Sequence, residues 1–190
     1  MTTTRNDFVK QWAKNPMLQP RLAKVSVNFA VGKSGPVLEK ARDLCEKLTG
    51  QKPVDCTAKE TVRGFGIRKG EPIGVKVTLR GEKATEFLRS VLWAKDEKVL
   101  NRNFDRHGNL SLGIREHLDL PDVRYDPTIG VHGFDVAAVI ERPGYRVAKR
   151  RKKRRPLGGH HRITKEEGIA FFEEHFNVQL VAAKEEEDYW

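Results

Sequence analysis

The stretch Arg21-Leu-Ala-Lys24-Val25-Ser26-Val27-Asn28-Phe29-Ala-Val31 decides how this chain folds. Val25, Val27 and Phe29 fall on one side and Lys24, Ser26 and Asn28 on the other, the period of a half-buried strand. Ile73 to Arg80 repeats the pattern, with Ile73, Val75, Val77 and Leu79 on one side and Lys76, Thr78 and Arg80 on the other. Between these strands, Gly32 to Gly35 forms a turn and Pro36 suits a first helical position. Val37, Leu38, Ala41, Leu44, Cys45 and Leu48 then follow a 3.6-residue period until Gly50, and Val54 to Ala58 reads as a short strand.

Outward from that core, the spacing predicts a short helix from Asn6 to Lys14, stopped before Pro16. Glu82 to Ala94 is amphipathic, with Ala84, Phe87, Leu88, Val91 and Leu92 on its apolar stripe. Leu110 to Ile114 is a brief strand after the His107-Gly108-Asn109 turn. Val131 to Glu141 is the last strand, with Phe134, Val136, Ala138 and Ile140 on one face. Thr164 with Glu167 makes a capping box that opens a final helix carrying Ile169, Phe172 and Phe176. The order β-α-β-β-α-β with an added strand predicts an α+β fold, a mostly antiparallel sheet with helices on one face and the opposite face open. The expected organisation is an N-terminal extension over 1–20 and an α+β domain over 21–142. A basic arm over 143–163, a helix over 164–180 packing back on the body, and an acidic tail over 181–190 follow.

Charge is concentrated. The formal net charge is +10, yet Lys149 to Arg155 are seven consecutive basic residues within an acid-free stretch from Pro143 to Lys165. Arg146, Lys149, Arg150, Arg151, Lys152, Lys153, Arg154 and Arg155 make a line of cations that calls for a polyanion. Residues 1–80 are also cationic, whereas the tail around Glu185 to Asp188 is acidic and reads as solvated. A polybasic run can dock on anionic membranes, but no lipidation signal or amphipathic anchor accompanies this one, so nucleic acid is the expected partner. No run reaches the length of a membrane span, and the first residues lack a secretory apolar core. Cys45 and Cys56 read as reduced, buried thiols.

Each constellation has a bland alternative. Lys24, Ser26, Asn28, Lys76, Thr78 and Arg80, left opposite the apolar strand faces, are either ordinary solvated residues or donors to phosphates and base edges. None of the six is acidic, which favours binding. None is aromatic, which favours a folded RNA over a flexible single strand stacked on the sheet. Gly64, Gly66, Gly70 and Gly74 space a long segment between strands, interleaved with Arg63, Arg68 and Lys69, and Gly64-Gly66-Gly70 is one residue too long for the dinucleotide fingerprint. The segment is either a mobile hairpin-like loop or one whose backbone approaches a phosphate chain. Gly32-Lys33-Ser34 resembles the end of a phosphate-binding loop, but Val27 occupies the position where that signature needs its first glycine. Lys33 and the helix start behind it remain a place for an RNA phosphate. Acidic pairs such as Asp119 with Asp122 read as turn formers, and the six histidines have no spacing that builds a metal site. No catalytic group, metal or cofactor is expected. The competing readings are an RNA-directed enzyme or nucleotide-dependent factor, and a DNA-packaging protein.

Several stretches carry a family resemblance. They are Lys24-Val-Ser-Val-Asn28-Phe-Ala-Val-Gly32, Gly74-Val-Lys-Val-Thr-Leu-Arg80-Gly81, Phe104-Asp-Arg-His-Gly108-Asn-Leu-Ser-Leu-Gly113-Ile and Gly133-Phe-Asp135. In order and over about residues 15 to 180, they resemble large-subunit ribosomal protein five, the universal 5S rRNA-binding family. The arm from Arg142 and the helix after Ile163 look like the archaeal and eukaryotic branch, and the short N-terminus points to the archaeal side. The resemblance implies a non-enzymatic, cytoplasmic ribosomal protein of the central protuberance. Ser26, Asn28, Thr78 and Arg80 would contact 5S rRNA; the loop with Arg63, Gly64, Phe65, Arg68 and Lys69 would reach the P-site tRNA elbow. The arm would touch 23S or 5S rRNA. Neighbouring ribosomal proteins complete the partners, with the chain a monomer within the ribosome and no membrane involved.

Overall fold

The computed structural model of the chain describes residues 5–121 and 123–181, so the acidic tail from Glu185 to Asp188 and Asp122 lie outside the described residues. Two units are compact in themselves, one of Met1–Ala23, Lys95–Ser111 and Ala138–Trp190, the other of Lys24–Ala94 and Leu112–Ala137. The strands are β1 (Arg21–Ala30), β2 (Val54–Thr57), β3 (Pro72–Leu79), β4 (Lys98–Leu100), β5 (Leu110–Ile114), β6 (Phe134–Glu141) and β7 (Gln179–Val181). The helices are α1 (Arg5–Lys14), α2 (Pro36–Thr49), α3 (Glu82–Trp93), α4 (Arg146–Lys149) and α5 (Lys165–Phe176). A five-stranded sheet runs in the order β2-β3-β1-β6-β5, and its β1–β3 and β2–β3 ladders are antiparallel. This is the α+β class that the alternation predicts.

In the second unit the register explains the core. Val25 pairs with Leu79, Val27 with Val77 and Phe29 with Val75, and all six side chains are buried. The odd-numbered faces of two strands therefore make one apolar surface. Phe29 stacks on Phe134 with ring centroids 5.1 Å apart, and Phe87 of α3 lies 6.4 Å from Phe134. Leu38, Ala41, Leu44 and Cys45 of α2 are buried as their spacing requires. Gly50 ends α2 at φ 59°, its N–H donating to the Glu46 carbonyl, the left-handed cap that glycine adopts without strain. The Arg42 guanidinium donates to Asp55 at 2.6 Å, pinning α2 to the β2 edge. Burial pushes the Cys45 thiol up to about 12, so it stays protonated and inert. Cys56 is only half-buried, because β2 is an edge strand.

The last strand begins three residues later than its alternation predicts. The His117 N–H donates to the His132 carbonyl at 3.0 Å, and the His132 N–H donates to His117 Nδ1 at 3.3 Å. These bonds claim the backbone before Phe134. A Cβ on Gly133 would stand 2.7 Å from the Arg115 carbonyl oxygen, so only glycine fits that approach. His117 is 1 % exposed, and desolvation holds its imidazole below the usual value, neutral and able to accept.

The first unit is built around aromatic packing. Phe104 lies 5.7 Å from Phe172, Phe171 packs edge-on to Phe172 at 5.5 Å, and Phe176 lies 5.8 Å from Phe172. Arg5 of α1 donates to Glu174 of α5 at 2.6 Å. The β4 and β7 strands pair in parallel, Lys98 against Gln179 and Leu100 against Val181, and neither strand is visible in the sequence pattern. The capping box after Thr164 is only half made. Thr164 Oγ1 accepts from the Glu167 N–H at 3.4 Å, but the Glu167 carboxylate does not return the bond. It is 2 % exposed and accepts from Arg142 Nη2 at 2.5 and 2.6 Å and from Trp12 Nε1 at 3.1 Å. A buried guanidinium outcompetes an exposed backbone amide for a carboxylate, because an unpaired charge inside the protein costs far more.

Candidate nucleic-acid interface

Three groups of candidate residues can be followed from the strands that carry them. On the sheet, the β1–β3 register sets Ser26 directly opposite Thr78 and Asn28 directly opposite Lys76. All four alternate with the buried apolar residues, so they share the face that the helices leave uncovered. Ser26, Asn28 and Thr78 are half-buried and Lys76 is exposed. Lys24 and Arg80 extend the two rows one step, the first half-buried and the second exposed. Among the described residues, no hydrogen bond or ion pair engages the side chains of Ser26, Asn28, Lys76 or Thr78. A patch of directly opposed, unengaged donors on a rigid ladder is pre-organised for an external acceptor.

The same face has members that the sequence reading passed over. Val54 sits opposite Lys76 on the β2 side and is 61 % exposed, giving the edge of the patch an apolar contact. Asp135 of β6 alternates with buried Phe134 and Val136 and is exposed, on the side away from the Phe29–Phe134 stack. The open face is therefore not free of acid across its width: the cationic part is confined to β1 and β3. The signal was present in the alternation of β6, whose inward residues leave Asp135 no other side.

The second group is the connection between β2 and β3. Its base is closed by Ala58 N–H to the Glu71 carbonyl at 2.8 Å and Gly70 N–H to the Ala58 carbonyl at 2.9 Å. Higher up, Val62 and Ile67 exchange both backbone bonds at 2.9 and 3.2 Å. Arg63 to Phe65 form a tight 3-10 turn, closed by Gly66 at φ 69°. Arg63, Gly64, Arg68 and Lys69 are all exposed, and Phe65 at the tip is 76 % exposed. The loop is thus a laddered hairpin with a bare aromatic tip. Lys33 stands beside its base, since the Ser34 hydroxyl donates to the Glu71 carboxylate and the Gly32 N–H donates to the Ile73 carbonyl at 2.8 Å. The Ser34 hydroxyl and the Arg68 N–H together hold the Glu71 carboxyl below its usual range.

The third group is the arm, which belongs to the first unit. Arg142 before it and Glu167 after it are joined by the buried ion pair, and Arg142 Nη1 also donates to the His160 carbonyl at 3.3 Å. The Tyr145 hydroxyl donates to the His161 carbonyl at 3.3 Å and accepts from the Ile163 N–H at 3.2 Å. The ends of the arm are stapled while its charges stay out: Arg146 and Lys149 to Arg155 are all exposed. Lys149 pairs with Glu141, the Arg150 Nε donates to the Lys153 carbonyl at 2.8 Å, and Lys153 turns the chain at φ 52°. Neither Arg142 nor Glu167 was marked by the sequence as part of this device, because a buried ion pair has no local signature. Among the described residues no group of His, Cys, Asp and Glu could hold a metal ion, and no helix is long and apolar enough to cross a membrane.

Against known proteins, residues 15–68 match the family described as Ribosomal protein L5, and residues 72–171 match the C-terminus of the same ribosomal family. The chain is 52% identical over 168 residues to the large ribosomal subunit protein uL5 of Sulfurisphaera tokodaii, covering 88% of this chain and 95% of that protein. It is 47% identical over 180 residues to uL5 of Aeropyrum pernix, covering 93% and 92%. It is 46% identical over 177 residues to uL5 of Methanococcus vannielii, covering 92% and 98%. The sheet face, the arm and the hairpin up to Arg68 lie within the two family matches, and the chain belongs to the ribosomal protein L5 family, in its archaeal form.

Proposed function

We propose that this protein is the component of the large ribosomal subunit that binds 5S rRNA through the open face of β1 and β3. Members of its family are structural ribosomal proteins and not enzymes. The observation that carries the reading is the direct opposition of Ser26 to Thr78 and Asn28 to Lys76 without any partner among the described residues. Short neutral donors set beside Lys24, Lys76 and Arg80 match a folded RNA, where phosphates fix position and hydrogen bonds to sugar and base edges add selectivity. Lys33 supplies a further phosphate contact at the end of the same strand. The hairpin tip, with Phe65 bare and Arg63, Arg68 and Lys69 around it, reaches the elbow of the P-site tRNA. The arm, Arg146 and Lys149 to Arg155, holds neighbouring 23S rRNA, and the protein sits as a monomer among other proteins of the central protuberance.

The test is equilibrium binding of the purified chain to 5S rRNA and to an unrelated structured RNA of similar length. Replacing Thr78 and Arg80 together by Ala weakens 5S binding more than control binding; equal loss on both RNAs would remove the sheet face as the specific site.

A further inference from the structure

The first unit holds a cavity of about 360 Å³ that none of these contacts uses. Its floor is the end of β6 around Ile140, one wall is the turn at His107 and Asn109, and the other is the arm through Ala148 and Leu157, with Arg162 completing the ring. We propose that this cavity receives the base of a single unpaired RNA nucleotide whose flanking phosphates lie on the cationic arm. The proposal rests on the RNA-binding reading above and names what the foot of the arm recognises.

Both walls are built before any ligand arrives. Asp105 Oδ1 accepts from the N–H groups of His107 and Asn109 at 2.8 Å each, and Asp105 Oδ2 accepts from Asn109 Nδ2 at 2.8 Å. Asn109 Oδ1 in turn accepts from the Ile140 N–H at 3.2 Å, which fastens the turn to the floor. Gly108 adopts φ 72°, and a Cβ there would stand 2.7 Å from Gly168 Cα, so the turn is wedged against α5. On the opposite side, the Arg155 N–H donates to the Val147 carbonyl at 3.2 Å, closing the arm on itself, and Lys149 pairs with Glu141, tying it to the end of β6. A cavity with fixed walls loses little conformational entropy when it is filled.

The chemistry of the lining selects the occupant. Val139, Ala148 and Leu157 present apolar surface that a bare phosphate cannot use. An apolar side chain from another protein gains nothing from the seven-cation run, which begins one residue after Ala148. A nucleotide turned out of its helix satisfies both, its base faces against the apolar wall and its phosphates on the arm. Arg162 is exposed and its guanidinium makes no hydrogen bond or ion pair with a described residue, which leaves it free for a base edge or phosphate. The volume lies near the lower end of the roughly 300–1,000 Å³ found for small-ligand sites, enough for one nucleoside.

The experiment compares two RNA hairpins with equal numbers of phosphates, one fully paired with an enlarged loop, the other carrying a single bulged 2-aminopurine. The full chain binds the bulged hairpin about tenfold more tightly, the worth of one base contact, and changes the emission of the 2-aminopurine. Ala148→Phe, which fills the cavity without changing charge, abolishes both effects and leaves the salt dependence as it was. Arg162→Ala, at an exposed position, reduces the preference and serves as the second variant should Ala148→Phe fail to fold. Equal affinity for the two hairpins, the result expected if the cavity takes a protein side chain, overturns the proposal. So does an undiminished preference in both variants. A failure of the 5S reading shows elsewhere, in the Thr78 and Arg80 variant, and leaves the bulge measurement standing.

Discussion

The sheet face and the arm represent two ways of presenting positive charge to RNA. The face offers few cations, and its short neutral donors are held opposite one another by a ladder whose reverse side is core. The arm offers seven consecutive cations on backbone that is stapled only at its ends and by a few internal bonds. A phosphate contact from a long, exposed Lys or Arg carries no sequence information, whereas fixed donors on a strand can discriminate one RNA shape from another. Affinity and its salt dependence are therefore expected to reside in the arm, and selectivity in the face.

The largest expected effect comes from deleting Lys149 to Arg155. If all seven meet phosphates, the slope of log affinity against log salt falls by about 5 to 6, while the preference for 5S rRNA over a control survives. Binding isotherms between low and physiological salt check this, and loss of the preference would move selectivity into the arm. Next is Glu167→Ala, which leaves the buried Arg142 charge without its partner. Unfolding in denaturant shows a loss of roughly 3–5 kcal/mol, the usual penalty for breaking one side of a buried pair. A loss below about 1 kcal/mol would mean that the staple is not what holds the arm.

The face responds more gently. Asn28→Ala or Thr78→Ala removes about 1 kcal/mol of 5S binding each, close to fivefold, with an unchanged salt slope because neither side chain is charged. A slope change in either variant would show that the neutral donors act through neighbouring cations. The smallest effect is on stability and pH. Burial depresses the His117 pKa, so below the ordinary value near 6.5 the unfolded chain binds a proton that the folded chain refuses. Stability conferred by neutral His117 is thus present above about pH 6.5 and lost as the pH falls below it, at up to about 1.4 kcal/mol per pH unit. His132 and Glu116, the groups nearest in charge, modulate the midpoint. Thermal unfolding of His117→Asn between neutral and mildly acidic pH should lack this slope; a slope equal to that of the unmodified chain would assign it elsewhere.

Alternation and 3.6-residue spacing made β1, β3, α2 and α3 legible because each buries apolar residues on one face over several repeats of its period. That the polar rows of β1 and β3 share the open side followed from that alternation, and the arm from composition. The β4–β7 pair escaped because three-residue strands carry no period and their partners are distant along the chain. Glu167 was legible as a helix-start residue, and its backbone bond does form; its carboxylate went to Arg142 because burial changes which partner is worth more. The late start of β6 escaped for a similar reason, since the bonds that displace it come from His117.

By itself, then, the sequence determined which faces are apolar, where the cations lie and which family the chain resembles, for these depend on local order and composition. Tertiary structure alone decided that Ser26 faces Thr78, that a buried ion pair clamps the arm and that a cavity opens beneath it. The physical reason is that pairing, desolvation and the shape of a cavity are properties of residues brought together in space, and no stretch of chain contains them.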